Sequence, residues 1–331
     1  MSGVPDAVAR ARSLADELLF PAASAVDAAG VVPGGHLDAL AEAGLYGLTG
    51  PVDAGGLGAD AATVAAVIEA LASGDLATTF VWLQHLGVVA ALADGPAGLR
   101  AEFLPDLCAG RRRGGVALQA ATGLGPAAIG AHRDGDELVL DGRVPWVTGW
   151  GHVDVLLVAA RDPDGEVCFV LVDAVGGPTL EAAPQRMVAL TASATVELTL
   201  NAHRVPADRL VRTVPLAELQ AGDAAGLRAN GSLALGLVAR CARLLGPSPL
   251  DGDLAAARTR LDTAGPGELP AARAAASALA HRAAGLLVAA TGSRAVVAGA
   301  HAERLAREAL FLLVFGSRPA IRQALVAELG G

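Results

Sequence analysis

The segment GRVPWVTGW, residues 142–150, holds the side chains of this sequence that are best suited to chemistry. Trp146, Thr148 and Trp150 recur every second residue, and this spacing predicts that they share one face of a β-segment. An indole face beside a hydroxyl would suit a flat heteroaromatic cofactor. The same side chains could instead fill the core of a sheet, so the spacing alone leaves both interpretations open.

Strand-like sequence surrounds this segment. From residue 115 to about 206 the apolar residues alternate with polar ones, and charged turns such as Arg133-Asp134-Gly135-Asp136 separate the runs. This pattern predicts an antiparallel β-domain. The strand candidates are residues 115–120, 137–140, 153–160, 167–172 and 195–200.

Helical periodicity dominates both flanks of the strand region, where Ala and Leu recur at steps of three and four residues. The predicted helices are residues 4–29 (one or two helices), 37–43, 61–72, 78–93, 96–107, 226–245, 254–261, 270–290 and 302–314. Helices, then strands, then helices predict an α+β fold. We therefore expect an N-terminal helical domain over 1–114, a central antiparallel β-domain over 115–207 and a C-terminal helical bundle over 208–331. A Rossmann site is not expected, because no GxGxxG joins a strand to a helix.

The composition is that of a globular protein. The chain has 331 residues, of which 53% are hydrophobic, and a mean hydropathy of +0.47. Its apolar runs stay below the roughly 18 uninterrupted residues of a membrane span, so no span is expected. The first twelve residues lack the apolar stretch of a signal peptide, which makes the cytoplasm the expected location.

The net charge of −9 argues against nucleic acid as the main partner. The local run Arg111, Arg112 and Arg113 is typical of a solvated turn or a helix end. The three cysteines are far apart, odd in number and without a CxxC spacing, so neither structural disulfides nor a metal site is expected.

Three motifs together resemble those of the acyl-CoA dehydrogenases. LAEAGLYGLTGPVDAGGLG (40–58) is similar to the N-terminal signature of that family, and LVLDGRVPWVTGWGHVD (138–154) is similar to its flavin-contact segment. TVELTLNAHRVPADRL (195–210) is similar to the strand that leads into its helical bundle. Their order and spacing imply the acyl-CoA dehydrogenase-like fold, with the domain arrangement given above.

The resemblance implies a set of FAD contacts. Trp146 would pack on the flavin and Thr148 would form a hydrogen bond near its N5. Leu118 and Gln119 would offer groups to the pyrimidine edge, although ALQAATGLGP (117–126) lacks the Glu-Pro and Ser-Asp of the family's flavin loop. The C-terminal half also lacks two FAD motifs, since Ala289 takes the place of a glutamine and no Arg-x-x-Phe-Gly follows Arg243. A complete FAD site is therefore not expected from this chain alone.

The resemblance also identifies where a catalytic base would lie. The family's glutamate follows the Glu-Arg-Leu helix, and in this sequence Gly316 occupies its position, so the catalytic residue is unknown. The alternative base position of a minority of the family falls near Gly226, about a turn from Asp223. Glu303 and Glu308 lie on the preceding helix, where we expect solvent-facing pairs such as Glu303 with Arg307.

The resulting expectation is an FAD-dependent oxidoreductase that acts on an acyl-CoA-like thioester at its α and β carbons. It would be active alone or only with a partner subunit, in a homo- or hetero-oligomer of acyl-CoA dehydrogenase-like chains. Two alternatives remain: a non-catalytic subunit of a mixed oligomer, and a flavin monooxygenase on the same scaffold.

The nearly continuous Ala, Leu and Val of residues 270–314 predict self-association. His85 is expected to be a satisfied core residue and His152 to lie in a turn.

Overall fold

The computed structural model describes residues 4–121, 128–221, 224–316 and 318–330. Its first part is helical, as expected. Asp60 and Asp75 cap two of these helices, because their carboxylates accept hydrogen bonds from the backbone N–H groups of Thr63 and Thr78, each at 2.8 Å. The helices are α1 (Val4–Leu14), which continues through a π-helical turn (Ala15–Leu19) into α2 (Phe20–Ala29), then α3 (Gly34–Glu42), α4 (Ala61–Ala72), α5 (Leu76–Ala93) and α6 (Ala97–Cys108).

A mixed sheet follows, in the order β6-β7-β3-β2-β4-β5-β8, with β1 paired to β4. The pairs β1–β4 and β2–β4 are parallel and the other pairs are antiparallel. The strands are β1 (Gly114–Ala117), β2 (Ile129–Asp134), β3 (Glu137–Val147), β4 (Val155–Arg161), β5 (Val167–Asp173), β6 (Leu180–Pro184), β7 (Val196–Pro206) and β8 (Leu210–Val214). The sequence predicted β1, β3, β4, β5 and β7 and missed the other three.

The long strands β3 and β7 carry the candidate site at one end of their pairing. Their register shifts between Leu140 and Gly142 and again between Val144 and Val147. At the first shift only glycine fits, because Gly142 has a φ of +134° and a Cβ there would lie 2.1 Å from the carbonyl oxygen of Ala128. The second shift is a β-bulge that contains Trp146.

The last part of the chain is helical again and packs back on the first. α8 crosses α4 so closely that a Cβ on Gly236 would lie 2.5 Å from the carbonyl oxygen of Glu69. Leu233, Leu237 and Val238 of α8 share one core with Ile68 and Leu71 of α4. The C-terminal helices are α7 (Leu216–Ala221), α8 (Ala224–Leu245), α9 (Leu250–Thr263), α10 (Leu269–Thr291), α11 (His301–Val314) and α12 (Pro319–Gly330).

Within the described residues, two helical stretches are long and apolar enough to cross a membrane, judged by length and composition alone. They are Leu76–Ala93, of which 67% is buried inside the protein, and Leu269–Val296, of which 44% is buried. Core helices of folded proteins pass the same test, so this is weak evidence for a span.

The predicted α+β architecture is confirmed: N-terminal helices, a central sheet and a C-terminal helical domain. The sheet differs from the expectation in one respect, since two of its strand pairs are parallel. A parallel pair needs a crossover connection, and the chain from β1 to β4 provides it by passing through β2 and β3.

Candidate functional site

Trp146 lies in the bulge at the end of β3, with its side chain open to solvent. It is 57% exposed and adopts a φ of +64°, in the left-handed region that a bulky side chain rarely occupies. Such strain is found where the surrounding structure fixes a functional geometry. The exposed indole is thus held in place by β3 and β7 rather than buried in a core.

The predicted shared face of Trp146, Thr148 and Trp150 is wrong. The strand ends at Val147, and Thr148 is buried while Trp150 is half-buried. The bulge is the physical reason, because its extra residue breaks the alternation of side chains between the two faces of the strand.

Thr148 is only 2% exposed, and its hydroxyl is part of a hydrogen-bonded chain. Its Oγ1 lies 3.0 Å from Oγ1 of Thr195, which in turn lies 2.8 Å from Oγ of Ser193. The backbones are joined as well, since the N–H of Gly149 donates to the carbonyl of Ser193 at 2.9 Å. The sequence placed Thr148 beside a cofactor but did not reveal these two hydroxyl partners.

Leu118 and Gln119 form the turn that leaves β1. The N–H of Ala121 donates to the carbonyl of Leu118 at 3.3 Å, and Gln119 is exposed. β1 lies beside both β4 and β3, so this turn belongs to the same sheet as the Trp146 bulge. The rest of the expected flavin loop, from residue 122 to 126, lies outside the described residues.

Gly316 lies just after α11, with a φ of +59°. A Cβ at this position would meet no atom within 4 Å, so there is room for a side chain. The preceding carbonyl, that of Phe315, accepts a hydrogen bond of 3.0 Å from Nη2 of Arg273, whose pKa is lowered to about 10 by burial. This position is therefore well anchored but has no group that accepts a proton. Asp223, near the alternative base position, lies outside the described residues.

The two glutamates of α11 behave differently from each other. Glu303 accepts a hydrogen bond of 2.8 Å from Nε of Arg307, and this pair agrees with the prediction. Glu308 does not face solvent, which corrects the prediction: it is 5% exposed, and burial raises its pKa to about 7 although Arg304 pairs with it. The reason is tertiary, since α11 packs mainly against α10 and also against α8 and α2.

The remaining polar candidates have structural partners. Nδ1 of His85 accepts the N–H of Gly114 at 2.9 Å, and burial lowers the pKa of this histidine to about 3, in agreement with the expected core role. Arg111 and Arg112 pair with Asp106. Arg113 pairs with Asp38 at 2.5 Å and lies over the ring of Tyr46. The arginine run thus closes a helix end, as predicted.

Three phenylalanines that sequence analysis missed pack together beside Gly316. The ring of Phe80 on α5 lies 5.0 Å from that of Phe311 and 4.8 Å from that of Phe315. The spacing of Phe311 and Phe315, four residues apart, is the signal that could have identified two of these three rings. The three rings form an aromatic cluster beside Gly316.

The residues present are chemically compatible with a flavin ring. The exposed indole of Trp146 offers a surface on which a flat ring could stack, and the hydroxyl of Thr148 can donate or accept a hydrogen bond. Thr148 is only 2% exposed, so a ligand would have to approach its hydroxyl closely.

Known proteins resemble this chain both in sequence and in fold. Residues 6–111 match the family model described as "Acyl-CoA dehydrogenase, N-terminal domain". The chain is 30% identical to isobutyryl-CoA dehydrogenase of Dictyostelium discoideum over 49% of its own length and 41% of the relative's. It is 26% identical to the short-chain specific acyl-CoA dehydrogenase of Bos taurus over 60% of its length and 51% of the relative's. These alignments therefore span about half the length of the relatives.

The fold is shared with solved structures. Butyryl-CoA dehydrogenase from Megasphaera elsdenii superposes with a TM-score of 0.83 at 17% identity, covering 100% of this chain and 98% of that one. At such identity the likeness concerns the fold, whereas the family model and the sequence relatives concern ancestry. Taken together, the family-model match, the sequence relatives and the shared fold support membership of the acyl-CoA dehydrogenase family.

Proposed function

We propose that this chain is an acyl-CoA dehydrogenase-like flavoprotein that holds the flavin ring of FAD at Trp146 and Thr148 and acts on an acyl thioester. The observation that carries the proposal is the exposed indole of Trp146, 57% exposed in a strained bulge beside a buried hydroxyl. The sequence resemblance assigns Trp146 to the segment with which the family contacts its flavin. Bulged strand ends commonly aim a side chain at a ligand.

Each residue has a distinct role in this proposal. The indole of Trp146 covers one face of the ring and excludes water from it, and the hydroxyl of Thr148 donates to a ring nitrogen. Backbone groups of Leu118 and Gln119 meet the pyrimidine edge. The bound flavin supplies an acceptor for the hydride that leaves the β-carbon of the thioester.

Among the residues that the structure describes, none near the expected base position is free to remove the proton from the α-carbon. Gly316 has no acceptor, Glu303 is held by Arg307, and Glu308 is buried in an ion pair with Arg304. A missing general base typically costs about two to four orders of magnitude in rate. We therefore propose that activity requires a partner subunit, in an oligomer with acyl-CoA dehydrogenase-like chains.

A second candidate is a non-catalytic subunit that completes the oligomer of a relative. The specific observation in its favour is the same glycine, together with the engagement of both nearby glutamates. In this case Trp146 and its bulge would serve assembly of a flavin site that belongs mainly to the relative.

One experiment separates the two candidates. The chain is purified alone and after co-expression with an acyl-CoA dehydrogenase of full activity, and flavin content and oligomer mass are measured on the same samples. Flavin bound by the chain alone supports the flavoprotein. A colourless chain that joins the relative without adding flavin would support the non-catalytic subunit and overturn the first proposal.

A further inference from the structure

Three hydroxyls form a buried row behind the Trp146 bulge. Ser193 is fully buried, Thr195 is 6% exposed and Thr148 is 2% exposed. Thr195 lies between the other two, at 2.8 Å from Ser193 and 3.0 Å from Thr148. Hydrogen bonds shielded from water in this way are stronger than exposed ones.

The number of protons in this row fixes what it can offer. Each hydroxyl has one proton to donate and lone pairs to accept, so two hydrogen bonds use two of the three protons. The third proton must point away from the row, either from an end hydroxyl or, where Thr195 accepts both hydrogen bonds, from Thr195 itself. A buried hydroxyl proton without an acceptor is unfavourable, so the free proton belongs where a ligand can accept it.

The two ends of the row are not equivalent. Ser193, the inner end, is fully buried and has Thr195 as its hydrogen-bond partner. Thr148 is almost as buried, at 2% exposure, and is the end that lies two residues from the exposed Trp146. An acceptor beside Trp146 favours donation from Ser193 to Thr195 and from Thr195 to Thr148, which leaves the proton of Thr148 for that acceptor.

The backbone holds this arrangement rigidly. The N–H of Gly149 donates to the carbonyl of Ser193 at 2.9 Å, and that of Trp150 donates to the carbonyl of Ala194 at 3.1 Å. Ala194, between the two hydroxyl residues, has a φ of +48°, and Trp146 has a φ of +64°. Such a conformation is strained for a non-glycine residue and persists only where its surroundings fix it. These two hydrogen bonds hold residues 193–194 against residues 149–150, which follow the Trp146 bulge.

We propose that Ser193 and Thr195 are positioning residues that direct the proton of Thr148 to an acceptor nitrogen of a flavin ring stacked on Trp146. The sequence resemblance assigns a flavin contact to Thr148 but none to Ser193 or Thr195. These two residues lie in the segment that precedes β7, and in this proposal they orient the hydroxyl of Thr148. This inference rests on the proposed function, because it needs a flavin at this site.

The test compares two substitutions of nearly equal size. Thr195→Val removes the central hydroxyl, whereas Thr195→Ser keeps it, and both proteins are titrated with FAD while flavin fluorescence and the visible absorption band are recorded. We expect Thr195→Val to weaken FAD binding by about three- to tenfold, the effect of one buried hydrogen bond, and to shift the band. Thr195→Ser should restore both values.

Additional variants keep the outcomes distinct. If Thr195→Val fails to fold, Ser193→Ala should weaken binding in the same direction, because it removes the donor at the inner end. Normal binding and an unshifted band in these variants, with weakened binding in Trp146→Ala, would overturn the positioning role and leave the proposed function intact. A wild-type chain that takes up no FAD would overturn the proposed function, and this inference with it.

Discussion

Glu308 accepts a hydrogen bond from Nη1 of Arg304, one helical turn earlier on α11, inside the protein. Both side chains are almost fully buried, at 1% and 6% exposure. Burial favours the neutral carboxylic acid more than the arginine favours the carboxylate, so the pKa of Glu308 rises from 4.5 to about 7. The pair therefore links the stability of the helical core to pH.

The expected effect has a definite sign. A carboxyl whose pKa is raised on folding binds its proton more tightly in the folded state, so its contribution is present below pH 4.5 and is lost as the pH rises to about 7. The loss is on the order of 3 kcal/mol. Glu308→Gln removes this dependence, which is measured as the difference between the urea unfolding free energies of wild type and variant across that range.

A control substitution and a second titrating residue bear on the pH dependence of the unfolding free energy. Glu303→Gln, on the same helix, should leave the pH dependence unchanged. His85 acts in the opposite direction, because its pKa is lowered to about 3 and its contribution is lost as the pH falls below 6.5. The difference between wild type and variant cancels this term. A Glu308→Gln curve parallel to that of wild type would contradict the prediction.

Trp146→Ala should lower flavin retention without unfolding the protein. The loss of a stacked aromatic corresponds to about 1 to 3 kcal/mol, or about 5- to 150-fold in Kd. Because the side chain is 57% exposed and φ is +64°, the fold should tolerate the change, and Trp146→Gly should melt no lower than wild type. Flavin content and thermal unfolding are measured together, with Trp146→Phe as the aromatic control. Unchanged flavin content in a well-folded Trp146→Ala protein would contradict the assignment.

Local signals account for the parts of the fold that were predicted well. α4 was predicted at its observed bounds, because Asp60 caps its first turn and its apolar residues keep the helical period. The strands that were missed carry weak alternation. β2 has two buried residues, at its Ile129 end, and β6 and β8 have one each. Their pairing depends on neighbours distant in the chain, which periodicity does not detect.

The site was predicted in part for a similar reason. Trp146 and Thr148 were found from their spacing and the family resemblance, but the bulge that separates their exposures comes from pairing with β7. The contact between Thr148 and Thr195 spans 47 residues. Burial of Glu308 likewise depends on the packing of α11 against α10, α8 and α2. Residue type and order carry no direct record of such distant contacts.

Self-association through the C-terminal helices should depend on the exposed apolar side chains there. A groove of about 410 Å³ between α11 and α12 is lined by Leu313, Val314, Arg322, Leu325, Val326 and Leu329. Val326 is 73% exposed, so a charge there is tolerated in a monomer but would have to be desolvated in an interface. We expect Val326→Glu to reduce the oligomer mass measured by light scattering.

The control for this experiment has the same exposure in another region. Val52, 74% exposed in the N-terminal helical part, receives the same substitution. Val52→Glu should leave the mass unchanged. A wild-type chain that is monomeric at micromolar concentration would contradict the prediction outright.

We expect that the chain alone does not dehydrogenate straight-chain acyl-CoA at a normal rate, because Gly316 has no side chain that could remove a proton. Gly316 follows α11, beside Phe315 and the aromatic cluster, at the position that the sequence resemblance assigns to the family's glutamate. A side chain there has open space within 4 Å of its Cβ, and the φ of +59° costs a non-glycine residue about 1–2 kcal/mol. Gly316→Glu should therefore fold with modest destabilisation and gain dye-reduction activity that wild type lacks, by about two to four orders of magnitude.

Gly246→Glu is the matched control. Gly246 also ends a helix and has a φ of +79°, and a Cβ there would meet no atom within 4 Å, but it lies after α8 instead of α11. Robust wild-type turnover would show that another group removes the proton, and equal activity of the two glutamate variants would show that position 316 has no special relation to the substrate.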